Sequence, residues 1–225
     1  MISIIIPTLN DRPYIRECLQ SIRDCAKETE TETIVADGGS TDGTPGHLYK
    51  GIRVIRTGPG KAVQLNKAAA LASGDTLLFI SPLCRLPRGA LNAVEHAVHD
   101  RNFDGGGFST RFVSHDEKIK RAARIMNLSF RDPYFDPFRL REENGVFVHA
   151  GVFTALSGFH PVCGLEKYDF CCRMKKSYRI VRITEPGLLV SPERILQRGI
   201  WRTHWKMCAA RSLYRLGLFT RLSVK

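Results

Sequence analysis

Short apolar runs and longer amphipathic stretches alternate through the first hundred positions. Ile2–Pro7 is rich in β-branched residues, which predicts a buried strand. Asn10 or Asp11 can cap a helix with Pro13 in its first turn, running to about Ala26. Thr33–Ala36 predicts a second strand, closed by Asp37-Gly38-Gly39, and Arg53–Arg56 a third. Lys61–Ala72 predicts a helix ended by Gly74-Asp75, Thr76–Ile80 a fourth strand, and Pro87–His99 another helix. Such alternation predicts an α/β fold: a mostly parallel, doubly wound sheet with helices on both faces.

Beyond residue 100 the pattern changes. Asp104–Phe112 predicts a Gly-rich strand, Glu117–Phe130 a basic helix, and 131–145 a loop rich in Pro and charge. Val146–Leu156 is an apolar run, Glu166–Lys176 a helix, Tyr178–Ile183 a strand, and Glu193 onwards one or two helices. No stretch reads as a linker. The expected organisation is one domain over residues 1–193, with a helical segment, 194–225, packed on it.

Composition is ordinary for a globular chain, with 43% hydrophobic and 25% charged residues. Charge placement is not. Residues 171–225 hold 13 Lys/Arg against Glu185 and Glu193, so they carry +11 of the net +12. A basic terminal segment points to an anionic partner: phospholipid, nucleic acid or a phosphorylated acceptor. The opening MISIIIPTLN has too short an apolar stretch, and no basic leader, for a signal peptide. No stretch approaches the ~18–20 apolar residues of a spanning helix. Seven cysteines with no CxxC pair predict packed thiols rather than a zinc or disulfide framework. A cytoplasmic protein is expected, its tail suited to peripheral contact with the inner membrane face.

Two stretches carry candidate chemistry. Asp37-Gly38-Gly39-Ser40-Thr41-Asp42-Gly43-Thr44 follows a strand; its small residues let a ligand approach the backbone, and its carboxylates can accept hydrogen bonds from a base or ribose. A plain turn satisfies the same pattern. Gly58-Pro59-Gly60-Lys61 precedes a helix, where a Lys beside free backbone N–H groups makes an anion site, though a surface Lys would look the same. Neither GxGxxG nor a Walker A sequence is present.

Ile4-Ile5-Ile6-Pro7-Thr8-Leu9-Asn10, Asp37–Thr44 and Gly60-Lys61-x-x-Gln64-Leu65-Asn66, in that order, resemble the family 2 glycosyltransferases of the GT-A fold. The similarity is greatest to the small bacterial subgroup associated with arsenosugar biosynthesis. It continues through Arg85-Leu86-Pro87, Gly106-Gly107-Phe108, Gly158-Phe159 and Gly199-Ile200-Trp201-Arg202, nearly the whole chain. The resemblance implies a UDP- or GDP-type nucleotide-sugar donor at the ends of the first strands. Pro7, Thr8 and Asn10 would line the nucleoside pocket, Asp37 would bond the base or ribose, and Lys61 would face the diphosphate, with Arg85 as a further donor contact. Asp75 is read as a turn residue.

Two positions depart from the family. Its fourth strand ends in an Asp that holds Mg²⁺ or Mn²⁺; here Ser81-Pro82-Leu83-Cys84 stands there, and Leu83 offers no lone pair. No metal ligand is therefore assigned, and Lys61, Arg85 and Arg88 are the cations that could take the ion's place. The family's catalytic-base Asp is replaced by Lys167, leaving Glu166 and Asp169 as candidate bases. The resemblance implies a glycosyltransferase, inverting at the sugar carbon. The alternative is a degenerate nucleotide-sugar-binding or scaffolding protein, for which carboxylates in the irregular middle (Asp132, Asp136, Glu142, Glu143) would decide.

In the tail, Arg198, Arg202 and Lys206 recur at i,i+4 beside Trp201 and Trp205. Such a helix can lie on an anionic membrane, meeting a lipid-linked acceptor, or pack on the sheet through its Trp residues. No nucleic-acid-binding module is recognisable, so no specific nucleic acid is expected. Cys84 is read as a structural thiol.

Overall fold

A computed structural model describes residues 1–27, 29–47, 51–113, 119–121, 123–124, 145–162 and 164–217. Among these residues eight strands form one sheet in the order β3-β2-β1-β4-β7-β6-β8-β5. They are β1 Ile2–Thr8, β2 Thr31–Asp37, β3 Ile52–Arg56, β4 Thr76–Phe79, β5 Cys84–Arg85, β6 Gly105–Phe112, β7 Val146–His149 and β8 Ile180–Val190. The helices are α1 Arg12–Cys25, α2 Lys61–Ala69, α3 Ala90–Glu95, α4 Ala150–Ala155, α5 Glu166–Ser177, α6 Glu193–Arg198 and α7 Ile200–Arg215.

β1 sits inside the sheet and is buried along its whole length. Its alternating side chains serve two cores, as period-2 geometry requires. Ile2, Ile4 and Ile6 pack with Ile15, Leu19 and Ile22 of α1 and with Leu91 and Val94 of α3. Ile5 points the other way, to Leu65 of α2, Phe153 of α4 and Phe170 of α5. The doubly wound expectation thus holds. β1 pairs in parallel with β2 and β4, β2 with β3, and β6 with β8. β7 runs antiparallel to β4 and β6, and β5 to β8, so the far half of the sheet is mixed.

Three elements differ from the sequence reading. The apolar run from Val146 divides at His149, whose Nδ1 accepts the Gly151 N–H at 3.2 Å and so caps α4. β8 continues seven residues past Ile183, through Pro186-Gly187, pairing with β6 across a register shift. Gly187 permits this because a Cβ there would lie 2.6 Å from the Ser109 hydroxyl. The edge strand β5 escaped notice because two residues carry no periodicity. Of the expected helix at Glu117–Phe130, only 119–121 and 123–124 are described, and they are helical; the loop carboxylates at 132–143 lie outside the described residues.

α7 docks through Ala210 and Tyr214 on Val162, Leu165 and Tyr168. Of the two readings open for the tail, packing through its tryptophans or lying on a membrane, the first does not describe Trp205, which is 69% exposed.

Candidate functional site

In an open parallel sheet, ligands gather beyond the strands' C-terminal ends. Thr8 and Asp37 end β1 and β2 in register. The loops that follow are laced together. Asp37 is buried, and its carboxylate accepts from the Gly39 N–H at 3.3 Å, the Ser40 N–H at 3.2 Å and the Ser40 hydroxyl at 2.5 Å. Asn10, at φ +57°, donates its N–H to the Ser40 hydroxyl and accepts the Thr41 N–H, both at 2.9 Å. Asp42 accepts from the Arg12 and Thr44 N–H groups and the Thr44 hydroxyl. Burial raises its pKa, but the Thr44 hydroxyl and these N–H groups outweigh that, for a net lowering. Asp37 and Asn10 therefore build the loop as well as standing beside the candidate pocket.

α2 closes this edge. Gly60 at φ +125° precedes it, a conformation that glycine alone adopts readily, and Lys61 stands at its first position. Gln64, one turn in, is buried and donates its Nε2 to Thr8 O at 2.9 Å and Ala36 O at 2.8 Å, clamping β1 to β2. Gly38 leaves room for it: a Cβ there would meet Nε2 at 3.0 Å. Thr8 is 1% exposed, and its hydroxyl has no hydrogen-bond partner among the described residues. Pro7 is buried inside β1, opposite Ala36. Arg85 faces α1, its guanidinium 3.1 Å from Glu17. Asp75 stands in the bend that leads into β4, at the end of the strands opposite Thr8, as the turn reading expected.

Leu83 is 5% exposed and belongs to the core under α1 and α3. The peptide around it is fixed as well: the Ser191 N–H donates to Leu83 O at 3.1 Å. Among the described residues no group of three His, Cys, Asp or Glu could hold a metal ion. The residues present at the end of β4 thus do not fit a divalent ion, because a packed alkyl side chain replaces the carboxylate such an ion requires.

The second half of the site starts at α5. Glu166, Lys167 and Asp169 are 7%, 4% and 4% exposed. Lys167 reaches Phe79 O, at the last residue of β4, with its Nζ at 3.4 Å. Asp169 is not placed as a base. Its Oδ2 accepts from Arg173 Nε at 2.8 Å and Nη2 at 2.7 Å and lies 3.4 Å from His160 Nδ1; its Oδ1 accepts from the Tyr214 hydroxyl. Burial, then the bond from Tyr214 to Asp169, push the Tyr214 pKa upward, so this hydroxyl keeps its proton. The same Arg173 donates to Leu156 O and Gly158 O, which makes Asp169 the hub that joins α5, α7 and the preceding loop. Glu166 is the remaining candidate base.

Asn66 links the two halves. It donates Nδ2 to Phe159 O at 2.8 Å and accepts the Phe159 N–H at 2.9 Å, holding the approach to α5 against α2. Gly158, at φ +63°, is required, since a Cβ would lie 2.6 Å from Asn66 Oδ1. The sequence reading noticed Gln64 and Asn66 as motif letters but not as fasteners; the signal was the spacing of 64 and 66 after Gly60-Lys61. Asp11, expected as a possible cap, stands at the N-cap position of α1 but makes no side-chain cap bond; buried at 3%, it accepts the Leu9 N–H and pairs at 2.5 Å with Arg194 of α6.

Among the described residues the thiols are packed or partly packed. Cys84 is fully buried, and burial raises the pKa of Cys18 and Cys171, which keeps those thiols protonated.

The model of the family described as Glycosyl transferase family 2 matches residues 3–156. Glucosyl-3-phosphoglycerate synthase of Mycobacterium tuberculosis is 34% identical over 89 residues, 35% of this chain and 28% of that protein. The chain therefore spans little more than a quarter of that relative's length. Among solved structures, Staphylococcus aureus TarS 1–349 with UDP-GlcNAc superposes with a TM-score of 0.67 at 18% identity, over 84% of this chain and 58% of that one. The mannosyltransferase PcManGT of Pyrobaculum calidifontis, with GDP-Man and Mn²⁺, gives 0.65 at 19%, over 84% and 56%. Mycobacterial glucosyl-3-phosphoglycerate synthase with Mn²⁺, UDP and glucosyl-3-phosphoglycerate gives 0.62 at 20%, over 93% and 80%.

Proposed function

Because the chain belongs to glycosyl transferase family 2, we propose that it moves a glycosyl group from a UDP- or GDP-type sugar nucleotide to a hydroxyl acceptor, with inversion. The interlocked loops after β1 and β2 carry this reading: Gln64 and Asp37 hold Thr8, Asn10 and the 37–44 loop together as one preformed unit. Preformed clefts with a few convergent polar groups are how small-molecule sites are built. The buried hydroxyl of Thr8 costs about 1–3 kcal/mol while unpaired, and a ligand atom would relieve that. Kinship with the arsenosugar-associated subgroup, supported by Arg85-Leu86-Pro87 and Gly199-Ile200-Trp201-Arg202, is part of the same proposal.

In this reading the nucleoside rests on Pro7, Thr8 and Asn10, beside Asp37. The diphosphate meets Lys61 and the backbone N–H groups that open α2, where the helix dipole favours negative charge. The acceptor oxygen attacks the anomeric carbon, the bond to the phosphate oxygen breaks, and the nucleoside diphosphate leaves with the electron pair. Glu166 takes the hydroxyl proton. No step passes through a metal ion, since Leu83 cannot ligate one; Lys61 supplies the positive charge toward the departing diphosphate.

The test is calorimetric titration with UDP- and GDP-sugars, with and without Mn²⁺, followed by product assays of the parent and E166Q. The expected outcome is metal-independent donor binding, and turnover that E166Q reduces about 10²–10⁴-fold without changing donor affinity. Donor binding without turnover against any hydroxyl acceptor would favour the non-catalytic binder. No binding to any nucleotide would overturn the donor site itself.

A further inference from the structure

The transfer reading uses the inner side of α7 only as scaffold, and its outer side not at all. At 100° per residue, Arg202, Trp205, Ala209, Ser212 and Leu216 fall within roughly 80° of arc. Each is exposed, with Trp205 at 69% and Leu216 at 71%. The opposite side holds Ala210 and Tyr214, which are packed on Leu165 and Tyr168. A large indole and a leucine are thus presented outward on a helix whose inner face is already covered. Arg215, also exposed, lies at the border between this side and the packed one, close enough to Tyr168 for its charge to lower that hydroxyl's pKa. Residues 194–225 contain eight Lys/Arg and no Asp or Glu, so nothing in the segment repels an anionic surface.

We propose that this outward face of α7 docks on an anionic lipid bilayer. Trp prefers the boundary between water and acyl chain, where its ring is buried and its N–H stays wet. Leu216 would enter beside it, and Arg202 and Arg215 would meet headgroup phosphates. A nucleic-acid partner would satisfy the arginines but give Leu216 no role. No helix among the described residues is long and apolar enough to cross a membrane, so α7 lies on the surface. The residues under α7, Leu165 and Tyr168, flank Glu166. Docking would therefore bring the candidate base near the bilayer and its lipid-borne hydroxyls; that last clause rests on the transferase reading, whereas the docking does not.

The experiment is flotation of the full chain with vesicles of 30% phosphatidylglycerol in phosphatidylcholine, against pure phosphatidylcholine, at low and high salt. Binding to the anionic vesicles alone, lost at high salt, is expected. R202A/R215A should weaken it roughly 25-fold, at about fivefold per basic residue. W205F should remove the Trp205 contribution to the blue shift in tryptophan emission, Trp201 keeping its own, and circular dichroism should show both variants folded. Equal binding to both vesicles, no flotation, or undiminished flotation of R202A/R215A would overturn the proposal. So would displacement from the vesicles by an RNA oligomer that binds the parent and W205F equally. Nucleotide-sugar titration is unaffected by any of these results, so a failed docking and a failed donor site are told apart.

Discussion

Leu83 invites a direct perturbation, because placing a carboxylate there separates a metal-ligand position from a packed core position. Leu83 is 5% exposed within the cluster that includes Ile15, Leu19 and Leu91. L83A removes a buried isobutyl group, and truncations of this kind cost about 2.7–5 kcal/mol. At roughly 2–4 °C per kcal/mol for a chain of this size, the melting temperature should fall by about 5–20 °C. L83D loses the same packing and adds a carboxylate to an apolar surround. Burial raises such a carboxylate's pKa, each unit being about 1.4 kcal/mol. The sign follows: an acid whose folded pKa is raised destabilises most at high pH. L83D should thus be close to L83A below about pH 4 and fall further behind as pH rises toward neutrality. Urea unfolding of both variants across pH 4–8, with and without Mn²⁺, reads this out. An L83D protein within 1 kcal/mol of the parent at pH 7, stabilised by Mn²⁺, would refute the reasoning and place position 83 on the ligand side.

Other predictions follow from the same contacts. Glu32 accepts from the Ser3 hydroxyl at 2.6 Å and the Ser73 N–H. Burial raises its pKa, but these bonds outweigh it and the net shift is downward. Its contribution is therefore present above about pH 4.5 and is lost as pH falls through the folded value. E32Q should flatten the acid limb of the stability profile; an unchanged limb would show that the bonds contribute nothing. D169N leaves Arg173, 18% exposed, without its anion, so it should cost about 2–4 kcal/mol, against about 1–2 for Y214F. Limited proteolysis of Y214F should release α7 first. A D169N protein of full stability but without turnover would return Asp169 to the role of base.

Much of the near half of the sheet was legible in the sequence because its signals are local. Ile2–Pro7 is apolar at every position but Ser3, and only a strand buried on both faces accommodates that. Gly60-Lys61 marks the start of α2, since a chain at φ +125° needs glycine. The far half was less legible, because its elements are defined by partners distant in sequence. β5 is two residues long and exists through Val190 and Leu189. His149 ends one element and begins the next through one ring nitrogen.

For the candidate site the division is similar. Residue types and order alone supplied the motifs proposed to face a nucleotide, and put Leu83 and Lys167 where the family resemblance implies carboxylates. Only the tertiary structure decided what each group does. Glu166 and Asp169 are three residues apart and looked equivalent. Asp169 proved to be held by Arg173 and by Tyr214, 45 residues away, because α7 folds back over α5. Whether Trp205 packed or stood outward was open in the sequence; it stands exposed, because the small Ala210 and the Tyr214 ring make the contact of α7 from the helix's other side. A one-dimensional pattern reports which side chains are apolar or charged. Which of them find a partner depends on surfaces brought together across the whole chain, and burial and hydrogen bonding belong to those surfaces.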